Sequence, residues 1–235
     1  MVVKGALFLI PTTLGEQNPF QVLPEQVIST IKQLNYYIVE NEKNARRFIK
    51  KIYPEKKQSE ITLFILNKHT DAKEHITFLT PIEQGYSVGI ISDAGTPGIA
   101  DPGADIVLLA HQKNITVHPL VGPSSILLAV MASGMNGQNF AFNGYLPINH
   151  HERKKTLKEL VFRAKKFNQT QVFIETPYRN NNLIASILYT CPASTLLTVA
   201  CNITLSSEWI KTQTISEWKQ QSFDFHKKPC VFCIY

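Results

Sequence analysis

The sequence lacks any apolar run able to cross a bilayer: residues 1–10 contain an apolar run, but it stops at Pro11 and Thr12, well short of the roughly 20 residues a spanning helix requires. That run reads instead as a first β-strand, and the chain is expected to be soluble, unexported and cytoplasmic, with no membrane partner. Cysteine is scarce. The four present show no disulfide-framework spacing, in keeping with a reducing compartment. The one close pair, CVFC at 230–233, lies in a β-prone stretch where positions three apart face opposite ways, so a shared metal is not expected. Acidic residues are the fewer sign of charge, 18 against 24 Lys and Arg, and the formal charge of +6 is compatible with a polyanionic partner such as RNA without requiring one. Also missing are GxxxxGK[ST], GxGxxG after the first strand, HExxH and GxSxG. These absences remove support for nucleotide hydrolysis, ordinary dinucleotide redox chemistry, zinc proteolysis and α/β-hydrolase chemistry. No internal repeat, low-complexity tract or long linker interrupts the chain.

The 235 residues that remain, 44% hydrophobic and 18% charged, have the profile of a folded protein with one large or two small domains. In the first half, apolar runs at 6–10, 36–39, 61–66, 86–91 and 115–118 alternate with helical patterns at 23–33, 41–52, 71–84 and 104–112. This is the α/β pattern of a mainly parallel sheet covered by helices. Thr70 is the expected N-cap of the third helix, and Pro81 is expected to bend or shorten it. The second half places helices at 125–133, 152–164 and 178–188 and strands at 141–143, 171–175, 196–201, 209–214 and 230–235. Several of these strands follow one another directly, so antiparallel pairing is expected. The fold class is therefore two α/β domains, over residues 1–118 and 119–235, with the groove between them as the default ligand site.

Four chain breaks fall at the ends of expected strands. The most informative is SDAGTPGIADPG at 92–103, where open α/β sheets bind ligands. Gly95, Gly98 and Gly103 permit close backbone approach, Pro97 and Pro102 stiffen the frame, and Asp93 and Asp101 supply carboxylates. A surface loop rich in turn formers is the plainer account. VGPSS at 121–125 opens a helix; Ser124 or Ser125 can cap it, or can also face a ligand carboxylate at the positive helix end. PTTLG at 11–15 and FIETPYR at 173–179 are the other two breaks, the last with Glu175 and Arg179 placed for a salt bridge. His150 and His151 stand beside Arg153, Lys154 and Lys155 on what reads as a solvated basic face.

Taken in order, SDAGTPGIADPG, VGPSSILLAVMASG, FNGYLPINHHERKK and FIETPYR resemble the tetrapyrrole methylase-like superfamily of methyltransferases. Within it they are most similar to the bacterial small-subunit ribosomal RNA methyltransferases that modify a cytidine 2′-hydroxyl. The resemblance runs over residues 7–204. It implies two α/β domains with S-adenosylmethionine bent into the cleft between them, and a homodimer. It places Pro11, Asp93, Gly95, Thr96, Gly98, Ile99, Ala100 and Asp101 on the cofactor loops, Ser124 and Ser125 beneath the methionine part, and Tyr145, Leu146 and Thr176 as second-domain contacts. The chain departs from the family where TPIGN is usual and it reads TTLGE at 12–16, and where an arginine, glutamate, leucine, threonine, lysine run gives way to CNITL at 201–205.

Methyl transfer from a sulfonium is an in-line displacement that depends on positioning and requires no metal. A ribose hydroxyl acceptor must lose a proton, and Asp93 and Glu175 are the candidate acceptors. Basic clusters at Lys50 and Lys51, Lys56 and Lys57, Arg153 to Lys155, and Lys165 and Lys166 favour RNA, or the small ribosomal subunit, as partner, with Arg153, Lys154 and Lys155 as the phosphate-binding set. A tetrapyrrole or other small-molecule acceptor, and a homologue that binds the cofactor without catalysis, remain open at this level.

Overall fold

The computed structural model describes residues 5–67 and 69–235, apart from the side chain of Ala72. Residues 1–4 of the first apolar run lie outside the described residues. Contacts divide the chain into two compact units, one ending at Pro123 and one running from Ser124 to Tyr235.

The first unit holds a five-stranded sheet in the order β3-β2-β4-β1-β5, built from β1 (Leu7–Ile10), β2 (Tyr36–Val39), β3 (Thr62–Ile65), β4 (Val88–Ile91) and β5 (Val117–Pro119), with every pairing parallel. Both neighbours of β4 register on the same four residues, Val88 to Ile91, all of which are buried. At that centre a Cβ on Gly89 would come within 2.5 Å of Ile10 Cδ1 and 3.1 Å of Leu34 Cδ1, so the side chains there would have to shift. The helices α1 (Glu25–Gln33) and α2 (Glu42–Ile52) cover one face through Val27, Ile28, Ile31, Ala45, Ile49 and Ile52. The other face is covered by α3 (His75–Phe78), α4 (Thr80–Glu83) and α5 (Ala104–Gln112), through Phe78, Leu79, Ile82, Ile106 and Ala110. The helix expected over 71–84 is thus broken in two. Pro81 sits in the first turn of the second piece, because it cannot donate to the turn before it. Asp71 rather than Thr70 supplies the cap, its Oδ1 accepting from Lys73 N at 2.9 Å, while the Thr70 hydroxyl donates to Ile65 O.

The second unit carries a mixed sheet in the order β6-β7-β10-β8-β9, from β6 (Phe140–Tyr145), β7 (Thr170–Ile174), β8 (Leu196–Cys201), β9 (Trp209–Thr214) and β10 (Cys230–Ile234). Only β6 and β7 run parallel; β10 pairs antiparallel with β7 and β8, and β8 with β9. On one face lie α7 (His150–Phe167), α8 (Asn180–Thr190) and the short α9 (Ile215–Trp218), around a core that includes Leu157, Phe173, Ile184, Trp218 and Phe232. The Trp218 indole N–H is satisfied by Leu197 O at 2.9 Å. α6 (Ser125–Ser133) lies against strands of the same sheet. α7 begins at His150, two residues before the expected start, because the Asn149 side chain accepts from His151 N and Glu152 N; it ends where Asn168 turns left-handed. No helix among the described residues is long and apolar enough to cross a membrane.

Candidate active site

Because all five strands of the first unit are parallel, their carboxyl ends meet at one edge, and the loops leaving β1, β2 and β4 converge there. The helices that follow β1 and β2 cover one face and the helix that follows β4 the other, so the chain parts on either side of β4 and opens a crevice. The β4–α5 loop is tied to the β1 loop by Thr12 N donating to Gly95 O at 2.9 Å, and Ser92 folds its own turn by accepting from Ala94 N at 3.2 Å. Four of its residues have positive φ: Gly95 at 81°, Gly98 at 76°, Gly103 at 129° and, unusually for a residue with a side chain, Ala100 at 57°. Gly95 is enclosed, since an added Cβ would lie 3.1 Å from Leu14 Cδ2 and 3.3 Å from Pro123 O. A Cβ built on Gly98 would meet nothing within 4 Å. The β1 end is fixed by Pro11, which packs on Gly122 so closely that a Cβ there would come within 2.3 Å of its ring.

Carboxylates gather at this edge. Glu40, the residue after β2, lies near Asp101 and Asp93, and Asp101 near Ser92. Burial, then the charges of Asp101 and Asp93, raises the Glu40 pKa above the ordinary carboxylate value; burial likewise raises that of Asp101, against the opposing pull of Ser92 and Glu40. Negative charge gathered at this edge therefore disfavours full ionisation of the group. Asp93, exposed, accepts from Asn44 Nδ2 at 3.1 Å. A concavity of about 270 Å³ between the β1 loop, the start of the β4 loop and α2 is lined by Thr12, Thr13, Asp93, Arg47 and Lys51. A broader one of about 750 Å³ is bordered by Glu40, Asn67, His75, Asp93 and Asp105.

In the second unit the carboxyl ends of the parallel pair β6 and β7 lie side by side, Tyr145 registering on Ile174 after a bulge in which Gly144 takes a φ of 63°. Tyr145 is exposed and Leu146 buried. Glu175, next after β7, is 5% exposed; its Oε1 accepts from Thr176 N at 2.7 Å and from Arg179 Nε and Nη2 at 3.0 and 2.6 Å. The other oxygen, Oε2, is buried without a partner. The pairing raises the Arg179 pKa.

A scan against protein-family models finds no match. The ribosomal RNA small subunit methyltransferase I of Rickettsia prowazekii (strain Madrid E) is 30% identical over 219 residues, spanning 92% of this chain and 73% of that protein. The chain belongs to the ribosomal RNA small subunit methyltransferase I family. The member from Buchnera aphidicola subsp. Schizaphis graminum (strain Sg) is 29% identical over 233 residues, 98% of this chain and 78% of its own. Solved structures of diphthine synthase (TM-score 0.68, 13% identity, 97% of this chain and 88% of that one) and of the methyltransferase CobJ (TM-score 0.64, 13% identity, 98% and 93%) share the fold. So does the cobalt precorrin-4 methyltransferase CbiF (TM-score 0.62, 14% identity, 97% and 94%), which makes the architecture that of the tetrapyrrole methylases.

In this methyltransferase the sequence-marked residues fall into two groups. Pro11, Asp93, Gly95, Thr96, Gly98, Ile99, Ala100 and Asp101 lie on loops at the carboxyl edge of the first sheet; in the second, Tyr145 ends β6, Leu146 follows it, and Glu175 and Thr176 follow β7. Ser124 caps α6, its Oγ accepting from Leu127 N at 3.5 Å, and Ser125 is the first residue of that helix. Three readings need correction. Glu175 is shielded and occupied by Arg179, which suits a positioning group better than a proton acceptor. Arg153 is buried, with Nε on Ser186 Oγ at 3.1 Å and Nη1 on Ile148 O at 3.2 Å, so it is not a free phosphate contact on the helix surface; Lys154 lies over the Tyr189 ring and Lys155 is exposed. Lys56, counted with the basic clusters, is also buried, its ammonium donating to the last carbonyls of α1, Ile31 O, Lys32 O and Leu34 O. Sequence reasoning missed Glu40 and Asn44, although Glu40 directly follows an expected strand, the same signal that marked the other four breaks.

Proposed function

We propose that this methyltransferase moves the methyl group of S-adenosylmethionine to the 2′-oxygen of a cytidine ribose in small-subunit ribosomal RNA, acting in the cytoplasm as a homodimer. The observation that carries the reading is the β4–α5 loop: a glycine-hinged segment at the carboxyl edge of a parallel sheet, with carboxylates at both ends, in a chain whose relatives are named for methylating this RNA. The loop fits a nucleoside joined to an amino acid. Gly98 leaves open space over the backbone, and Asp93, Asp101 and Glu40 provide acceptors for hydroxyl or ammonium donors. Pro11, Asp93, Gly95, Thr96, Gly98, Ile99, Ala100 and Asp101 of the first unit, and Ser124, Ser125, Tyr145, Leu146 and Thr176 of the second, would hold the cofactor. When bound it supplies a methyl on a positively charged sulfur, open to attack in line.

The chain's own residues then have three tasks. The glycines and Pro11 fix the loop backbone, so that little ordering remains when a ligand arrives. Asp93, exposed and oriented by Asn44, takes the proton the ribose hydroxyl gives up. Glu175 holds the Thr176 amide and Arg179 in place at the end of β7. Support for a homodimer comes from α6, where Leu127 and Met131, one turn apart, are exposed apolar side chains that a second copy would cover.

Calorimetry tests the cofactor assignment. S-adenosylmethionine or its demethylated product should bind in the micromolar range, and Gly98→Val should weaken binding while the second unit keeps its thermal transition. No heat with either ligand, or undiminished binding by the variant, would remove the basis for the loop's role.

A further inference from the structure

The face of the second unit that carries α8 has features the site above does not use. Tyr178, in the short 3₁₀ turn Pro177–Arg179, and Asn182, Ala185 and Tyr189 on α8 recur at intervals of four, three and four. They therefore form one stripe, and all four are exposed, while Leu183, Ile184 and Ile187 on the opposite face are buried in the core. The stripe has a tyrosine at each end, 67% and 71% exposed, and small residues between. Eleven residues at the helical rise separate the two rings by about 16 Å. The small middle leaves a shallow concavity of about 360 Å³ whose walls include Ile148, His150, Arg153 and Arg179.

Each exposed ring is paired with a cation. Lys154 Nζ stands 5.0 Å from the Tyr189 ring centre, and Lys227 Nζ 5.9 Å from that of Tyr178, where His226 also packs edge-on at 5.8 Å. The buried Arg153 guanidinium is held rigidly at the concavity wall by Ser186 and Ile148. No carboxylate lies on the stripe itself. Glu175 is buried against Arg179, Asp224 is engaged with Asn181 and His226 N, and Glu152 is on the first turn of α7.

Resting on the reading that RNA is the acceptor, we propose that this stripe binds a single-stranded segment of the substrate RNA, with bases stacked on Tyr178 and Tyr189 and the backbone drawn by Lys154 and Lys227. Flat exposed rings beside cations match a ligand that presents both π-faces and phosphates. An acidic peptide would satisfy the cations and leave the rings unused. A second copy would bring the same positive surface against itself. The stripe begins two residues after Thr176, at the end of β7, so a strand lying on it starts beside the candidate residues Glu175 and Thr176 of the same unit.

The test uses the full chain and a fluorescein-labelled single-stranded RNA of about 12 nucleotides, followed by anisotropy at several salt concentrations. Tyr178→Ala and Tyr189→Ala should each weaken binding about tenfold, Tyr→Phe at either position should retain it, and Lys154→Ala should lower the salt dependence by about one counterion. Cofactor binding by calorimetry should be unchanged throughout, which separates loss of this surface from loss of fold. If the parent binds the RNA and the alanine variants bind it equally well, the stripe is not the surface and the RNA reading stands. If the parent binds no RNA even at low salt, both fall. If light scattering shows that the alanine variants dissociate a dimer, the stripe is a contact between copies and the proposal is overturned.

Discussion

A buried lysine shows how far a residue's role can depart from its charge. Lys56 stands in a basic dipeptide, yet its ammonium closes the C-terminus of α1, where the last carbonyls of a helix have no partner of their own and the helix dipole favours a cation. Burial lowers its pKa. Lys56→Met should cost about 1 to 3 kcal/mol by leaving those carbonyls unsatisfied, read as a lower urea midpoint. RNA affinity should hardly change; an unchanged midpoint with weakened RNA binding would restore the surface role. Residue type and sequence spacing could not reveal this, because the contact joins positions more than twenty residues apart. For the same reason Glu175 and Arg179, four apart, were legible as a pair, whereas Asn44 on Asp93 was not.

The carboxyl pair at the β4–α5 loop gives a second residue-scale expectation. Both folded-state pKa values are raised, so the pair favours the fold most below the ordinary carboxylate value of about 4, and that contribution is lost as pH rises through the raised values. Glu40→Gln keeps the shape and removes one charge. Its melting temperature should exceed the parent's at neutral pH, by a margin that shrinks as the pH falls toward 4; an equal margin at both ends would show that the Glu40 carboxyl is not raised in the fold.

At the scale of elements, apolar or β-prone runs located the described strands, most plainly β2, β4, β8 and β10, which are largely buried, and the long helices were visible in their buried stripes. The ends were set by side chains whose partner is backbone. Asn149 moved the start of α7 two residues forward, and Pro24 delayed that of α1. The turn α9 was not legible: four residues carry no period, and only the reciprocal pair Thr214 and Glu217 marks it. Asn149→Ala removes the acceptor for two amides at the start of α7 and should cost about 1 kcal/mol, measured by chemical denaturation with Asn149→Asp as the control that retains the cap. Equal loss in both variants would mean the side chain acts otherwise.

Across the whole molecule, the alternation of strands and helices in the first half announced a parallel sheet, and a parallel sheet brings its loops to one edge whatever their sequence distance. That is why motifs 80 residues apart, at Pro11 and at 92–103, could be assigned to one edge before any coordinates. The acceptor was less legible, because net charge mixes phosphate-facing cations with those, like Lys56 and Arg153, that hold the fold together. The most direct measurement supplies methyl-labelled S-adenosylmethionine and the protein to small ribosomal subunits that lack the modification, then digests the RNA with alkali. A methyl on the ribose 2′-oxygen removes the nucleophile alkaline cleavage needs, so the account predicts label in an alkali-resistant dinucleotide containing cytidine. Label in ordinary mononucleotides, or none in RNA while a tetrapyrrole acceptor is labelled, would contradict it.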